Sequence, residues 1–292
     1  MILVVGAGFL GTYLLKYLSR QSGEPALAAV RDPAAHPQIE RTEYIKCDIR
    51  EKEDVAALYE RCAGQKLTVF YFAALHNVDY LYEHPGEGRA VNIDALSRFL
   101  DVFPNIEKLF FASTDCVYGE NPPDIVKFKE TDATVPVNEY GKQKLEAEKI
   151  VLKRGFTAVR FSYMLGPSPL QKRHFYDNIS EKLLSGKSVE MINGMVRSAL
   201  SYETAAMLLA KLSRLPAADV SGIINLCSDG EYTKYDLGLL IARTLGVSPD
   251  LVCGISEEQA KGFFKDRRAS RSVMDNSKLK SLLGIDAVPL EV

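Results

Sequence analysis

Apolar residues fall along this chain in short, nearly unbroken runs, each followed by a stretch in which they return every three or four positions. The first run is Ile2 to Val5, and behind it Leu10, Leu14 and Leu18 recur at helical spacing as far as Arg20. Ala26 to Val30 is the second run. Thr42 to Cys47 is the third, closed by Asp48-Ile49 and followed by a helix carrying Val55, Leu58 and Tyr59. Leu67 to Phe72 is almost continuously apolar, as a strand buried on both faces requires, and a long helix follows from about Gly88 to Phe103. Leu109 to Phe111 and Ala158 to Phe161 complete the series. Strand and helix thus alternate from residue 2 to about 162, which predicts an α/β protein with a Rossmann-type doubly wound parallel sheet and right-handed crossovers.

From Tyr163 onward the pattern changes. Gly166-Pro167-Ser168-Pro169 interrupts it, and helices near Phe175 to Leu184 and from about Glu203 to Leu212 flank the short apolar run Val189 to Ile192. We therefore expect residues 1–162 to form the doubly wound domain and residues 163–292 to form mainly a smaller second lobe. Gly222 to Asn225 is expected to return to the sheet as a strand.

Composition narrows the function classes. The 292 residues are 47% hydrophobic with a net charge of -2, which supports one large core and gives no electrostatic reason to expect nucleic acid or an anionic membrane as partner. No apolar run approaches the roughly 20 residues of a membrane span, and the chain opens directly on the first strand rather than on a secretory leader. Five scattered cysteines with no CxxC pair read as reduced thiols, with no metal site expected. These features lead us to expect a cytoplasmic protein.

The chemistry-bearing residues lie at the carboxyl ends of the predicted strands, where an open parallel sheet binds ligands. Gly6-Ala7-Gly8-Phe9-Leu10-Gly11 stands between the first strand and the first helix, the context a dinucleotide fingerprint needs. Gly6 suits the tight turn, Gly8 the close approach of a pyrophosphate, and Gly11 the packing of helix on strand, with the helix N-terminus facing the phosphates. Arg31 follows the second strand, where arginine favours NADP and an acid favours NAD; Asp32 comes directly after it. We expect NADP, with NAD as the alternative. Asp48 and Ile49 would border the adenine. Phe72, Ala73, Ala74, Ser113, Phe161 and Ser162, at the later strand ends, are assigned to the same cofactor groove.

Tyr140 and Lys144 sit four residues apart on a predicted helix, hence on one face. A phenol with a pKa near 10 is a poor acid at neutral pH, and an ammonium beside it brings it toward the working range. The glycine turn, Ser113-Thr114-Asp115-Cys116-Val117-Tyr118-Gly119 and Tyr140-Gly141-Lys142-Gln143-Lys144 together resemble the extended branch of the short-chain dehydrogenase/reductase family. Glu130 to Lys142 and the late stretch Asp275 to Ile285 are similar to the dTDP-4-dehydrorhamnose reductase group within it.

The resemblance implies a triad of Thr114, Tyr140 and Lys144, with hydride delivered to a sugar carbonyl and a proton from Tyr140. It implies that Lys144 also holds the nicotinamide ribose and that Asn92 tethers the lysine through water. Asp115, Tyr118, Tyr163, Arg197 and Arg268 would contact a nucleotide-sugar, the two arginines at its diphosphate. Ala269 stands where a proline usually follows the arginine of the reductase pattern. His174 and Asn178 are further candidates for the pocket. A homodimer is the family-level expectation. An epimerase or dehydratase would use the same triad and cofactor, and a non-catalytic NADP-binding regulatory subunit would use the fold alone.

Overall fold

In a computed structural model, which describes residues 1–21 and 23–292, the predicted runs become β1 (Ile2–Val5), β2 (Ala26–Val30), β3 (Thr42–Lys46), β4 (Leu67–Tyr71), β5 (Ile106–Thr114) and β6 (Thr157–Phe161). A seventh strand, Gly222–Leu226, pairs in parallel with β6, so the later part of the chain does return to the sheet. The order is Gly222–Leu226, β6, β5, β4, β1, β2, β3, with every pairing parallel. The chain winds outward from β1 in one direction and then resumes on its other side with β4. This reversal opens a crevice at the carboxyl ends of β1 and β4, where ligands of doubly wound sheets bind.

The side-chain period of two splits the core between the faces of the sheet. Phe70 and Phe110 stack at 5.3 Å on the face covered by α1 (Phe9–Gln21) and the helix Tyr202–Arg214. Their neighbours Tyr71 and Phe111 point the other way, against α2 (Lys52–Cys62) and Phe99. Each fully buried ring contributes about 1.5–3 kcal/mol relative to exposure. A third apolar cluster lies outside the sheet: Leu165, Tyr176, Leu183 and Met191 pack with Leu237, Ile241 and Val252.

The structure differs from the sequence reading in two places that matter for the site. The expected helix from Gly88 to Phe103 is present but starts earlier and is not uniform: α4 (Pro85–Arg89) runs through a π-helical turn over Ala90–Asp94 into α5 (Ala95–Val102), and a separate short helix, α3 (Val78–Glu83), precedes it. Pro85 has no N–H to continue α3, so a new helix starts at it. The helix Lys234–Leu245 was not anticipated. Its N-terminus is set by a reciprocal capping box between Thr233 and Asp236, and its end by Gly246 in the left-handed region at φ 68°.

Candidate active site

Helix α6 (Glu139–Lys153) starts where Asn138 Oδ1 accepts the Gly141 N–H at 2.9 Å. Its first turn presses on the end of β5: a Cβ on Gly141 would lie 2.5 Å from the Cys116 carbonyl oxygen. Only glycine between Tyr140 and Lys144 lets the helix come this close, which brings both side chains to the wall carrying Thr114. All three line a cavity of about 1210 Å³, more than one small ligand fills.

The Thr114 hydroxyl accepts the Cys116 N–H at 3.2 Å and donates to Asp115 Oδ1 at 3.1 Å. Burial raises the Tyr140 phenol above its ordinary value; Asp115 and Cys116 add to this and a hydrogen bond with Thr114 opposes it. Lys144 is buried with its ammonium 4.3 Å from the Phe111 ring centroid, and among the described residues no acceptor reaches it. Burial pushes it down to about 7, with Glu148 opposing.

Behind the triad lies a buried network that sequence reasoning missed. Glu148 takes Arg160 through Nε at 2.9 Å and Nη2 at 2.7 Å, and accepts the Ser113 hydroxyl. The Arg160 guanidinium in turn lies 4.5 Å from the Tyr118 ring centroid. The only sequence signal was the position of Glu148 four residues after Lys144 on the same helix face.

Two expected contacts are corrected here. Tyr118 stands outside the cavity: its ring is stacked on Phe128 at 4.5 Å, with its hydroxyl between Asn225 Oδ1 and the Lys129 carbonyl. The 3-10 turn Asp115–Val117 carries it behind the sheet edge. Asn92 also lies off the cavity wall. Its amide is engaged by both backbone groups of Leu75 and by Gln143 Oε1, at 2.9–3.0 Å, so it anchors the segment after β4 to α6.

The remaining residues assigned to the cofactor border one groove at the β1–β4 crevice: the glycine turn, Arg31, Asp48, Ile49, Phe72, Ala73, Ala74, Ser113, Phe161 and Ser162. Gly6 has φ 88° and a Cβ there would meet Ala73 N at 2.6 Å, whereas a Cβ on Gly8 would meet nothing within 4 Å. On Gly11 it would meet the Gly6 carbonyl at 2.8 Å. Asp32 Oδ1 accepts the Ala34 N–H at 3.1 Å and caps a short turn. No partner holds the Arg31 guanidinium among the described residues. Asp48 is held well below the usual carboxylate range, at about 2, chiefly by the side-chain hydrogen bonds of Arg50. His36, which sequence reasoning passed over, reaches the carbonyls of Asp32 at 2.9 Å and Ala7 at 3.0 Å, tying this loop to the glycine turn.

On the far side of the cavity Arg197 donates to Asp115 Oδ2 at 3.0 Å. Burial disfavours its charge, but Asp115 and Cys116 together offset this and hold it above its ordinary value. Arg268 pairs with Asp79 at 3.0 Å, and Tyr163, His174 and Lys234 complete this wall. Asn178 is exposed and does not line it. Lys265 and Arg271 make surface pairs with Glu83 and Glu231. Among the described residues, no cluster of three or more His, Cys, Asp or Glu side chains could hold a metal, and no helix is long and apolar enough to cross a membrane.

Known proteins are similar to this chain in sequence or in fold. The bovine (Bos taurus) methionine adenosyltransferase 2 subunit beta is 26% identical over 225 residues, 75% of this chain and 65% of that protein's own length. A hypothetical dTDP-4-dehydrorhamnose reductase from Sulfolobus tokodaii superposes with a TM-score of 0.80 at 21% identity, covering 100% of this chain and 98% of its own. The UDP-glucose 4-epimerase of Thermus thermophilus, solved with NAD, gives 0.80 at 23% identity over 96% of this chain and 92% of its own. At these identities the solved structures speak for the fold. The RmlD substrate binding domain profile matches residues 1–291, and the chain therefore belongs to that family, within the sugar-nucleotide reductase group of the extended short-chain dehydrogenase/reductases.

Proposed function

We propose that this protein uses NADPH to reduce the carbonyl of a nucleotide-linked 4-keto-6-deoxy sugar. The observation that carries this reading is the convergence of Thr114, Tyr140 and Lys144 on one wall of a cavity that also contains the glycine turn. A dinucleotide fits the groove on physical grounds: Gly8 leaves open space at the end of β1, and the α1 N-terminus faces it.

The reduced nicotinamide supplies the hydride. The chain's own residues handle the oxygen. Tyr140 gives its phenolic proton to the carbonyl oxygen as charge develops there. The Lys144 ammonium stabilises the phenolate that remains, and because no hydrogen-bond acceptor holds it among the described residues it is available for that phenolate and for a ribose hydroxyl. Thr114, held by Cys116 N–H and Asp115, fixes the position of the oxygen. For cofactor choice, the capping role of Asp32 and the free guanidinium of Arg31 favour NADP over NAD.

NADPH oxidation measured against a panel of nucleotide-linked 4-keto sugars tests the reading. Turnover in the wild type that disappears in Tyr140→Phe, with NADPH binding retained, supports it. A second reading, a cofactor-binding subunit of a larger assembly, is favoured by the similarity to the bovine subunit over 75% of the chain. Absence of turnover with every sugar, alongside a Tm raised by NADPH, would replace the first reading with the second.

A further inference from the structure

Three half-buried cations, Arg197, Arg268 and Lys234, line the substrate half of the cavity beside the exposed Lys172, and they are not equivalent. Arg197 is matched by Asp115 and Arg268 by Asp79, each at 3.0 Å. Lys234 has neither a carboxylate nor a hydrogen-bond acceptor within reach among the described residues. The acid nearest to it in sequence, Asp236, is committed to the capping box, accepting from Thr233 N at 2.8 Å and Thr233 Oγ1 at 2.7 Å. Aromatic rings surround the ammonium instead. Its Nζ lies 5.3 Å from the centroid of Phe175, 5.6 Å from Phe264 and 5.8 Å from Tyr163.

Such rings attract a cation through their faces, but they do not replace a counter-ion. Burial, reinforced by Arg197 and Arg268, pushes Lys234 below its ordinary value. The helix it begins and the rings around it come from distant parts of the chain, so the placement is built by the fold rather than by local sequence. An apolar collar around an ammonium that opens on a cavity fits an oxyanion that arrives with the ligand: the collar excludes water and strengthens the attraction.

We propose that Lys234 is the anion-reading residue of the substrate half of the cavity, where it seats a phosphate or carboxylate group of the bound ligand. The assignment rests on the reading of this cavity as a nucleotide-sugar site. It changes the division of labour among the cations: Arg197 and Arg268 enter the encounter already neutralised, whereas Lys234 supplies the free charge. Diphosphate and sugar carboxylate share the chemistry, and different ligands separate them.

The test is calorimetric titration of the full chain, saturated with NADP, with uridine, thymidine, UDP, dTDP, UDP-glucose and UDP-glucuronic acid. Lys234→Met keeps the length and apolar contacts of the side chain, and Lys234→Arg keeps its charge. We expect the wild type to bind phosphorylated ligands well above the nucleosides. Lys234→Met should weaken them by about tenfold or more with NADP affinity unchanged, and Lys234→Arg should retain most of the affinity. Weakening of all the diphosphates assigns the contact to phosphate; weakening confined to UDP-glucuronic acid assigns it to the sugar carboxylate. Wild-type affinities in folded Lys234→Met, or a wild type that binds none of the charged ligands, would overturn the proposal. Lack of NADPH turnover would defeat the reductase reading but not this one, because the readout is binding.

Discussion

Glu148 lies one helical turn beyond Lys144 on α6, yet its carboxylate is claimed by Arg160 and Ser113 rather than by the lysine. The acid and its arginine form a nearly closed pair beneath the triad, with side chains 1% and 3% exposed. Lys144 is thereby left as a buried cation with an electrostatic neighbour and the Phe111 ring beside it but, among the described residues, no hydrogen-bond partner. The arrangement keeps the ammonium free for a ligand at a cost in stability.

Lys144→Met measures that cost. Turnover should fall by about two orders of magnitude or more, since the phenolate loses its stabilising charge. Stability at neutral pH should nonetheless rise by about 1–3 kcal/mol, as an unpaired buried polar group is replaced by an apolar one. The pH dependence gives a second check. Between about 7 and 10.5 the unfolded chain holds a proton on Lys144 that the folded chain does not, so this group makes stability increase with pH across that window. Thermal melts of wild type and variant at several pH values should show that increase in the wild type and its loss in Lys144→Met.

Glu148→Gln should act in the opposite direction. It strands Arg160 in the core, which costs about 3–5 kcal/mol, and Tm should fall by roughly 10 °C. Ser113→Ala removes one hydrogen bond to the same carboxylate and should cost about 1–2 kcal/mol. Equal losses for the two variants would argue against the ion pair as the centre of the network.

The fold was legible because strands buried on both faces read as continuous apolar runs, and because glycines at positions 6, 8 and 11 have separate steric duties. The spacing of Tyr140 and Lys144 was enough to place them on one helix face, whereas Thr114 came only from the family resemblance. What escaped depends on contacts between distant segments. Lys234 looks like a surface charge at the start of a helix, and only Tyr163, Phe175 and Phe264, drawn from three other segments, bury it. Tyr118 misled for the converse reason. Its sequence position suggests the pocket, but the turn at Asp115–Val117 directs it against Phe128 and Arg160.

That correction has its own test. Tyr118→Phe retains the stacked ring and removes the hydroxyl that meets Asn225 at 2.8 Å. Stability should drop by about 1–2 kcal/mol, with KM for the sugar substrate unchanged. A selective rise in that KM at constant stability would restore the substrate contact.

On the proposed reading, cofactor choice turns on Arg31. Asp32 Oδ1 is committed to the Ala34 N–H, so the residue that would favour NAD is partly occupied in holding the turn while the guanidinium stays free on the groove wall. Arg31→Ala should raise KM for NADPH by about tenfold or more, the value of a charge-assisted contact to phosphate, and leave KM for NADH nearly unchanged. Because Arg31 is exposed and no hydrogen bond or ion pair holds it among the described residues, Tm should not move. A parallel loss with both cofactors would mean that Arg31 positions the adenosine in general, and discrimination would then have to come from elsewhere in the loop that His36 ties to the glycine turn.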